Sequence, residues 1–424
     1  MGAGQQGRVY LDYAATAPLD PRLHEVLASC SWANANSLYA EGREARRQLE
    51  DARRRIARAV GARQPAEIVF TSGGTEGDNM AVRGLLPANA KPQETHVIVS
   101  SIEHHAVADA AASLKRLGFK VHGVPANRSG IVTPQALEEA AAKALAGGGK
   151  LALVCVMAVN NELGTIQPVR ELARMMADLR EKRLAAGDLT PLCLHVDASQ
   201  AASCLTVDVG SLGCDLLTLS AAKIGGPKQV GLLWASDDVV LRPLVLGGGQ
   251  EGGLRSGTEN VAGIIGFARA LELVCARRRE ESHRLASLRG RLERGLLAEF
   301  PWALVSGPKK ANFRLPGLLH VSFPGLEARR LVIGLEREGV SVGTGSACAA
   351  SKMRVSHVLR AIGMPEEAAA GSLRMTLGRP TTQAEVGYAV AAVTRVVRAE
   401  MSRLGISDGQ VAANAARIMG GGRQ

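Results

Sequence analysis

Aromatic residues are scarce in this chain of 424 residues, at 3%. Hydrophobic residues still make up 46%. Packing must therefore come from Ala, Val, Leu and Ile, which suits helices laid on a parallel sheet. No run of about 20 apolar residues occurs, the length a membrane-spanning helix needs. Met1 to Arg8 lack the charged and apolar regions of a secretory leader, so the expected compartment is the cytoplasm. Cysteine is sparse and odd in number: Cys30, Cys155, Cys193, Cys204, Cys214, Cys275 and Cys348. No C-x-x-C pair occurs, which disfavours a disulfide framework and a zinc ribbon, and no metal site is expected.

The formal charge is +11. Excess of this sign invites a nucleic-acid reading. Yet Arg46, Arg47, Arg53, Arg54 and Arg58 share a segment with Leu49, Ala52, Ile56 and Val60. That spacing is an amphipathic helix with its arginines in water, and no direct nucleic-acid binding is expected.

Apolar runs alternate with helical patterns through the first two thirds. Strands are expected at 67–71, 96–100, 120–124, 151–157, 192–196, 215–219 and 230–234. Helices are expected at 42–60, 76–84, 106–117, 134–145 and 169–183. The alternation specifies a large, doubly wound, mostly parallel α/β domain over 18–260. A long helical pattern runs from Val261 to about Phe300, with Leu285, Leu288, Leu292 and Leu296 on one face. Short strands and helices follow, which reads as a smaller α+β domain over 261–407, joined by residues 1–17. The Ala- and Gly-rich tail 408–424 is expected to be poorly ordered.

Three stretches follow predicted strands. Thr71-Ser72-Gly73-Gly74-Thr75-Glu76 opens a helix, where glycines and backbone N–H groups suit an anion; a plain tight turn fits as well. Asp197, in His195-Val196-Asp197-Ala198-Ser199-Gln200, ends a buried strand, where it serves either a ligand or a helix cap. Lys223, in Ser220-Ala221-Ala222-Lys223-Ile224-Gly225-Gly226, sits at a strand end in an apolar setting. Desolvation lowers the pKa of such a lysine and suits it to imine chemistry. Lys228, past the turn, is the surface alternative. Cys348 lies in Gly343-Thr344-Gly345-Ser346-Ala347-Cys348-Ala349-Ala350-Ser351, small residues that read as a flexible loop presenting a thiol. Cys155 and Cys193, in apolar runs, read as core residues.

A phosphate cradle, a carboxylate for a ring nitrogen and a lysine for an aldehyde are the anchors pyridoxal 5'-phosphate needs. With them stand Ser101-Ile102-Glu103-His104, Val159-Asn160-Asn161-Glu162-Leu163-Gly164, Gly247-Gly248-Gly249-Gln250-Glu251, Arg255-Ser256-Gly257-Thr258-Glu259-Asn260 and Leu377-Gly378-Arg379. On these motifs the chain resembles class V aminotransferase-fold proteins of the NifS/IscS-type cysteine desulfurase group. The resemblance runs from Val9-Tyr10-Leu11-Asp12 almost to the end.

It implies the fold type I architecture of pyridoxal-phosphate enzymes and conversion of L-cysteine to L-alanine. The sulfur would pass to Cys348 as a persulfide, for iron–sulfur scaffolds or tRNA-thiolation enzymes. By the same resemblance, Lys223 carries the cofactor, His104 stacks on its ring, Asp197 pairs with the ring nitrogen, and Gln200 and Asn161 meet the phenolic edge. Gly74, Thr75 and Ser220 hold the phosphate. Thr258 reaches the partner's phosphate, implying a homodimer. Arg374 clamps the substrate carboxylate, with Asn34 and Asn161 beside it. Ala222 stands where most relatives have a histidine, and Tyr39 where many have another. Alternatives are a selenocysteine lyase, which shares most of these residues, and a non-catalytic sulfur-transfer scaffold.

Overall fold

The computed structural model describes residues 7–86, 90–344 and 355–420. Its strands, in chain order, are β1 (Val9–Leu11), β2 (Ile68–Thr71), β3 (Thr95–Ser100), β4 (Lys120–Val124), β5 (Lys150–Cys155) and β6 (Cys193–Asp197). They continue with β7 (Leu216–Ser220), β8 (Gly231–Ala235), β9 (Leu304–Val305), β10 (Leu318–Ser322), β11 (Val340–Val342) and β12 (Ser372–Thr376). Seven of them form one sheet in the order β2-β8-β7-β6-β5-β3-β4.

β8 runs antiparallel to both β2 and β7, and the remaining ladders are parallel. The other six strands therefore all point the same way. Their C-terminal ends make one edge, where open α/β sheets bind ligands. β2, β3 and β6 are buried throughout, as the unbroken apolar runs required.

The smaller body is built on the antiparallel sheet β12-β10-β9 and the parallel pair β1-β11. The two are stitched by isolated bridges, Gly343 to Arg374 and Asp12 to Thr376. The long helix Val261–Glu299 begins at Asn260, whose Oδ1 accepts from Gly263 N. It packs first on the helix Ala40–Val60 and later on Gln383–Leu404. It thus continues past residue 260 as a shared spine, and no linker separates the bodies there.

Two expectations need correction. Residues 408–420 form a helix, with Val411, Ala415 and Ile418 buried. Asp408 accepts from Trp302 Nε1 at 2.9 Å. Small residues made this segment look unstructured, yet its i, i+4, i+7 positions supply one apolar stripe. The second correction is Arg53, which does not face water. It is 8% exposed and donates to both carboxylate oxygens of Glu251 at 2.8 Å, and to Ile68 O at 2.7 Å. Glu251 also accepts from Phe70 N, which ties the Gly247–Glu251 loop to β2.

Truncation after Ser407 is expected to cost about 1–3 kcal/mol, since it uncovers the apolar faces beneath this helix. Urea unfolding of the full and truncated chains checks this. Equal midpoints would mean the helix adds nothing to the fold.

Candidate active site

Strand ends bring the chemistry together. β6 ends at Asp197 and β7 at Ser220, and a single turn after β7 delivers Lys223. β2 leads through Gly73 (φ 148°) into the helix Gly74–Gly84. A Cβ on Gly231 would stand 2.6 Å from Gly73 C, so this loop lies directly on β8 and only glycine fits beneath it. A Cβ on Gly74 would meet Ser199 Oγ at 3.0 Å and Ser220 Cβ at 3.6 Å. The helix start, Ser199 and Ser220 therefore surround one spot, with Thr75 exposed beside it. Ser199 Oγ is buried without a protein partner. Unfilled hydroxyl and amide donors at a helix N-terminus suit a phosphate.

Lys223 Nζ donates to Ala14 O at 2.9 Å and Ala15 O at 2.6 Å. Gln200 Nε2 donates to the same Ala14 O at 2.9 Å. Burial lowers the pKa of Lys223, and Arg374 adds to the effect while Asp197 and Asp12 oppose it. Asp197 is 7% exposed, and its Oδ1 accepts from Ser199 N at 2.9 Å. His104 caps the helix His105–Arg116, with Nδ1 accepting from Ala106 N at 3.1 Å. Its neutral ring therefore carries the proton on Nε2. The His104 side chain is exposed. Even so, surrounding protein lowers its pKa, opposed by Asp197 and aided by Lys223. Its neighbour His105 instead lies 3.8 Å from Asp109 at the surface.

Beneath Asp197 lies a buried set that the motifs did not assign. Glu103 is 1% exposed; its Oε1 accepts from Met157 N at 2.7 Å and its Oε2 has no partner. Burial pushes its pKa up to about 8. His195 and Asp78 are also fully enclosed, 3.5 Å apart, and His195 Nε2 lies 3.0 Å from Thr218 Oγ1. Burial lowers the pKa of His195 to about 4 and drives that of Asp78 well up. Near neutral pH these neighbours are mainly uncharged. Glu103 and His195 stood inside quoted motifs. Asp78 carried no signal beyond being acidic on a helix face that turns out to be buried.

The smaller body contributes Arg374, on β12 and 2% exposed. Its Nη2 donates to Asp12 Oδ1 at 2.7 Å and its Nη1 to Asn161 O at 3.2 Å. The short segment Asp12–Ala15 holds both cations, Asp12 taking Arg374 and the carbonyls of Ala14 and Ala15 taking Lys223. Asn34 and Thr258 are exposed, and between their segments Asn36 Nδ2 donates to the Glu259 carboxylate. No described hydrogen bond links them to the Lys223 group. Cys348 lies outside the described residues. Cys155 and Cys193 are buried, and burial raises their pKa values. Lys228 is exposed, as its place past the turn implied.

Residues 9–388 match the family model for "Aminotransferase class-V". The cysteine desulfurase IscS of Clostridium botulinum strain Hall is 38% identical over 94% of this chain and 96% of its own length. The IscS of Dictyoglomus turgidum is 39% identical over 92% and 94%. Among solved structures, a NifS-like protein superimposes with a TM-score of 0.82 at 34% identity, covering 92% of this chain and 99% of its own. A structure of SspA in complex with cysteine has a TM-score of 0.72 at 31% identity, covering 87% and 98%.

Glu103 makes a signed prediction about pH. Its folded pKa, near 8, lies above the ordinary 4.5, so its contribution to stability is complete below 4.5 and is lost as pH rises through 8. Glu103→Gln should remove that loss, flattening the fall in unfolding free energy between pH 5 and 8 by about 2–4 kcal/mol. Urea unfolding at several pH values reads the slope directly. An unchanged slope would mean Glu103 is ionised in the fold.

Proposed function

The chain belongs to the class-V aminotransferase family, and on that footing we propose how it works: it is a pyridoxal-phosphate-dependent cysteine desulfurase that converts L-cysteine to L-alanine and passes the sulfur to Cys348. One observation carries the reading. Lys223, Asp197 and the helix start at Gly74 stand at strand ends on one edge of the sheet, and the segment Asp12–Ala15 ties Arg374 of the smaller body to Lys223.

The residues present fit the cofactor. The open donors at Gly74, Thr75, Ser199 and Ser220 suit its phosphate, and the buried Asp197 carboxylate suits a protonated ring nitrogen. In this reading Gln200 serves the phenolic oxygen, with Asn161 on the same edge, and His104 the ring face. Ala222, where relatives carry histidine, offers no side-chain donor. Its carbonyl instead accepts from Ala17 N at 2.8 Å. Bound there, pyridoxal phosphate supplies an electron sink for the substrate's α-carbon.

The chain's own groups do the rest. Arg374 orients the substrate carboxylate. Lys223, with its lowered pKa, is suited to take the α-proton once its amine is neutral. The Cys348 thiolate attacks the substrate sulfur, forming an S–S bond as the C–S bond breaks. The electron pair stays with carbon, which takes up a proton to give alanine. The persulfide sulfur is then passed from Cys348 to an acceptor.

The same reading includes a homodimer, in which Thr258 serves the partner's site. Its support is the exposed edge itself, where Trp32 and Leu38, on either side of Asn34, are 86% and 89% exposed. It also includes a cytoplasmic enzyme, a compartment that the six unpaired described cysteines suit. The sulfur acceptor would be an iron–sulfur scaffold or a tRNA-thiolation enzyme.

Purified protein supplied with pyridoxal phosphate is expected to release alanine from L-cysteine in the presence of a reductant. Cys348→Ala should abolish this while keeping the cofactor's visible absorbance. Lys223→Ala should lose both the native absorbance and turnover, by about 10³-fold or more. Alanine release from Cys348→Ala at the native rate would overturn the persulfide step. A chain that cannot take up cofactor would overturn the whole scheme.

A further inference from the structure

A guanidinium that is 2% exposed needs a counter-ion even when no substrate is bound. Asp12 is the carboxylate in contact with Arg374 among the described residues, at 2.7 Å, and its own side chain is 20% exposed. The other described groups around Arg374 give no compensating charge. His320 stands opposite it across β10 and β12, is fully buried, and has its pKa lowered to about 4 by burial. Glu162 is pushed towards its neutral form by burial, and accepts from Ser356 Oγ at 2.6 Å. The Asn161 contact is a carbonyl, and Arg374 Nε has no hydrogen-bond partner among the described residues.

The fold holds Asp12 in place. β1 pairs with β11, Asp12 bridges to Thr376, and Tyr10 Oη donates to Asp12 O at 3.0 Å. Gly343 completes the arrangement from the other side. It exchanges two backbone hydrogen bonds with Arg374, at 3.0 and 2.8 Å. A Cβ there would come 2.8 Å from Asp12 Oδ1 and 2.9 Å from Arg374 Nη2, so a side chain would press into the ion pair.

We propose that Asp12 is the resident counter-ion of Arg374, a positioning residue that sets carboxylate affinity by making an incoming carboxylate share the guanidinium. This rests on the reading of Arg374 as the carboxylate clamp. In the empty site Asp12 satisfies a buried charge. In the filled site it is a like charge beside the substrate's carboxylate, and it weakens the hold on product and stray anions. The clamp therefore releases alanine readily.

The test is Asp12→Asn in the cofactor-loaded enzyme, which keeps the shape and the acceptor oxygen but removes the charge. L-Alanine and ethylamine, the same type of amine without a carboxylate, are titrated against the cofactor's absorbance. L-Alanine should bind about tenfold tighter, the scale expected for one competing charge beside a part-buried pair. Ethylamine should be unchanged. Equal or weaker alanine binding overturns the proposal, as does an equal change for ethylamine. Arg374→Gln separates the two readings. If it binds alanine as tightly as the parent, the clamp reading falls. If it weakens alanine while Asp12→Asn does not tighten it, only the counter-ion proposal falls. Should Asp12→Asn not fold, Asp12→Ser carries the same expectation in the same titration.

Discussion

The ion pair between Asp12 and Arg374 joins what would otherwise be two separate halves of a site. Arg374 belongs to the smaller body and Lys223 to the larger, yet one N-terminal segment touches both. Asp12 holds the arginine, Ala14 N donates to Thr376 Oγ1 on the same strand, and the carbonyls of Ala14 and Ala15 receive the lysine. Ala17 N then donates to Ala222 O, beside Lys223. Few residues thus set where the two cations stand, and both cations depend on acceptors from that segment to tolerate burial.

A second constraint acts below the sheet edge. Asp197 is surrounded by ionisable groups that burial drives to neutrality: Glu103 and Asp78 by taking a proton, His195 by giving one up. Such surroundings leave the local charge to be decided by Asp197, Lys223 and whatever they bind. The cost is a set of buried polar atoms without a hydrogen-bond partner among the described residues, on Asp78, Glu103 and His195. Strain of this kind gathers where function requires it, and outlying pairs such as Arg53 with Glu251 carry the more ordinary work of fixing loops.

The large sheet was legible because its strands are apolar almost throughout and its helices carry clear stripes. All seven expected strands of that domain appear, within a few residues of their expected ends. The short strand Val340–Val342 was legible, but other short elements were not. β1 and β9 have three and two residues, too few for a periodicity to show. The last helix was hidden by its alanines and glycines, because its apolar stripe becomes evident only against Trp302 and its neighbours. Arg53 was misplaced for a related reason: a helix face can be read from spacing, but not the carboxylate that will meet it.

The same division runs through the site. Residue type and order brought forward a lysine, a carboxylate and a glycine-rich helix start after predicted strands, and the family resemblance supplied the roles proposed for them. Parallel strands then oblige those groups to share one edge, whatever the details of packing. Tertiary structure alone decided which polar groups meet across the chain. Asp12 and Arg374 are 362 residues apart, as the bond between them spans nearly the whole sequence. No local pattern encodes such a partner, because an ion pair is specified by distance and burial, and both arise only when the strands that carry it are brought together.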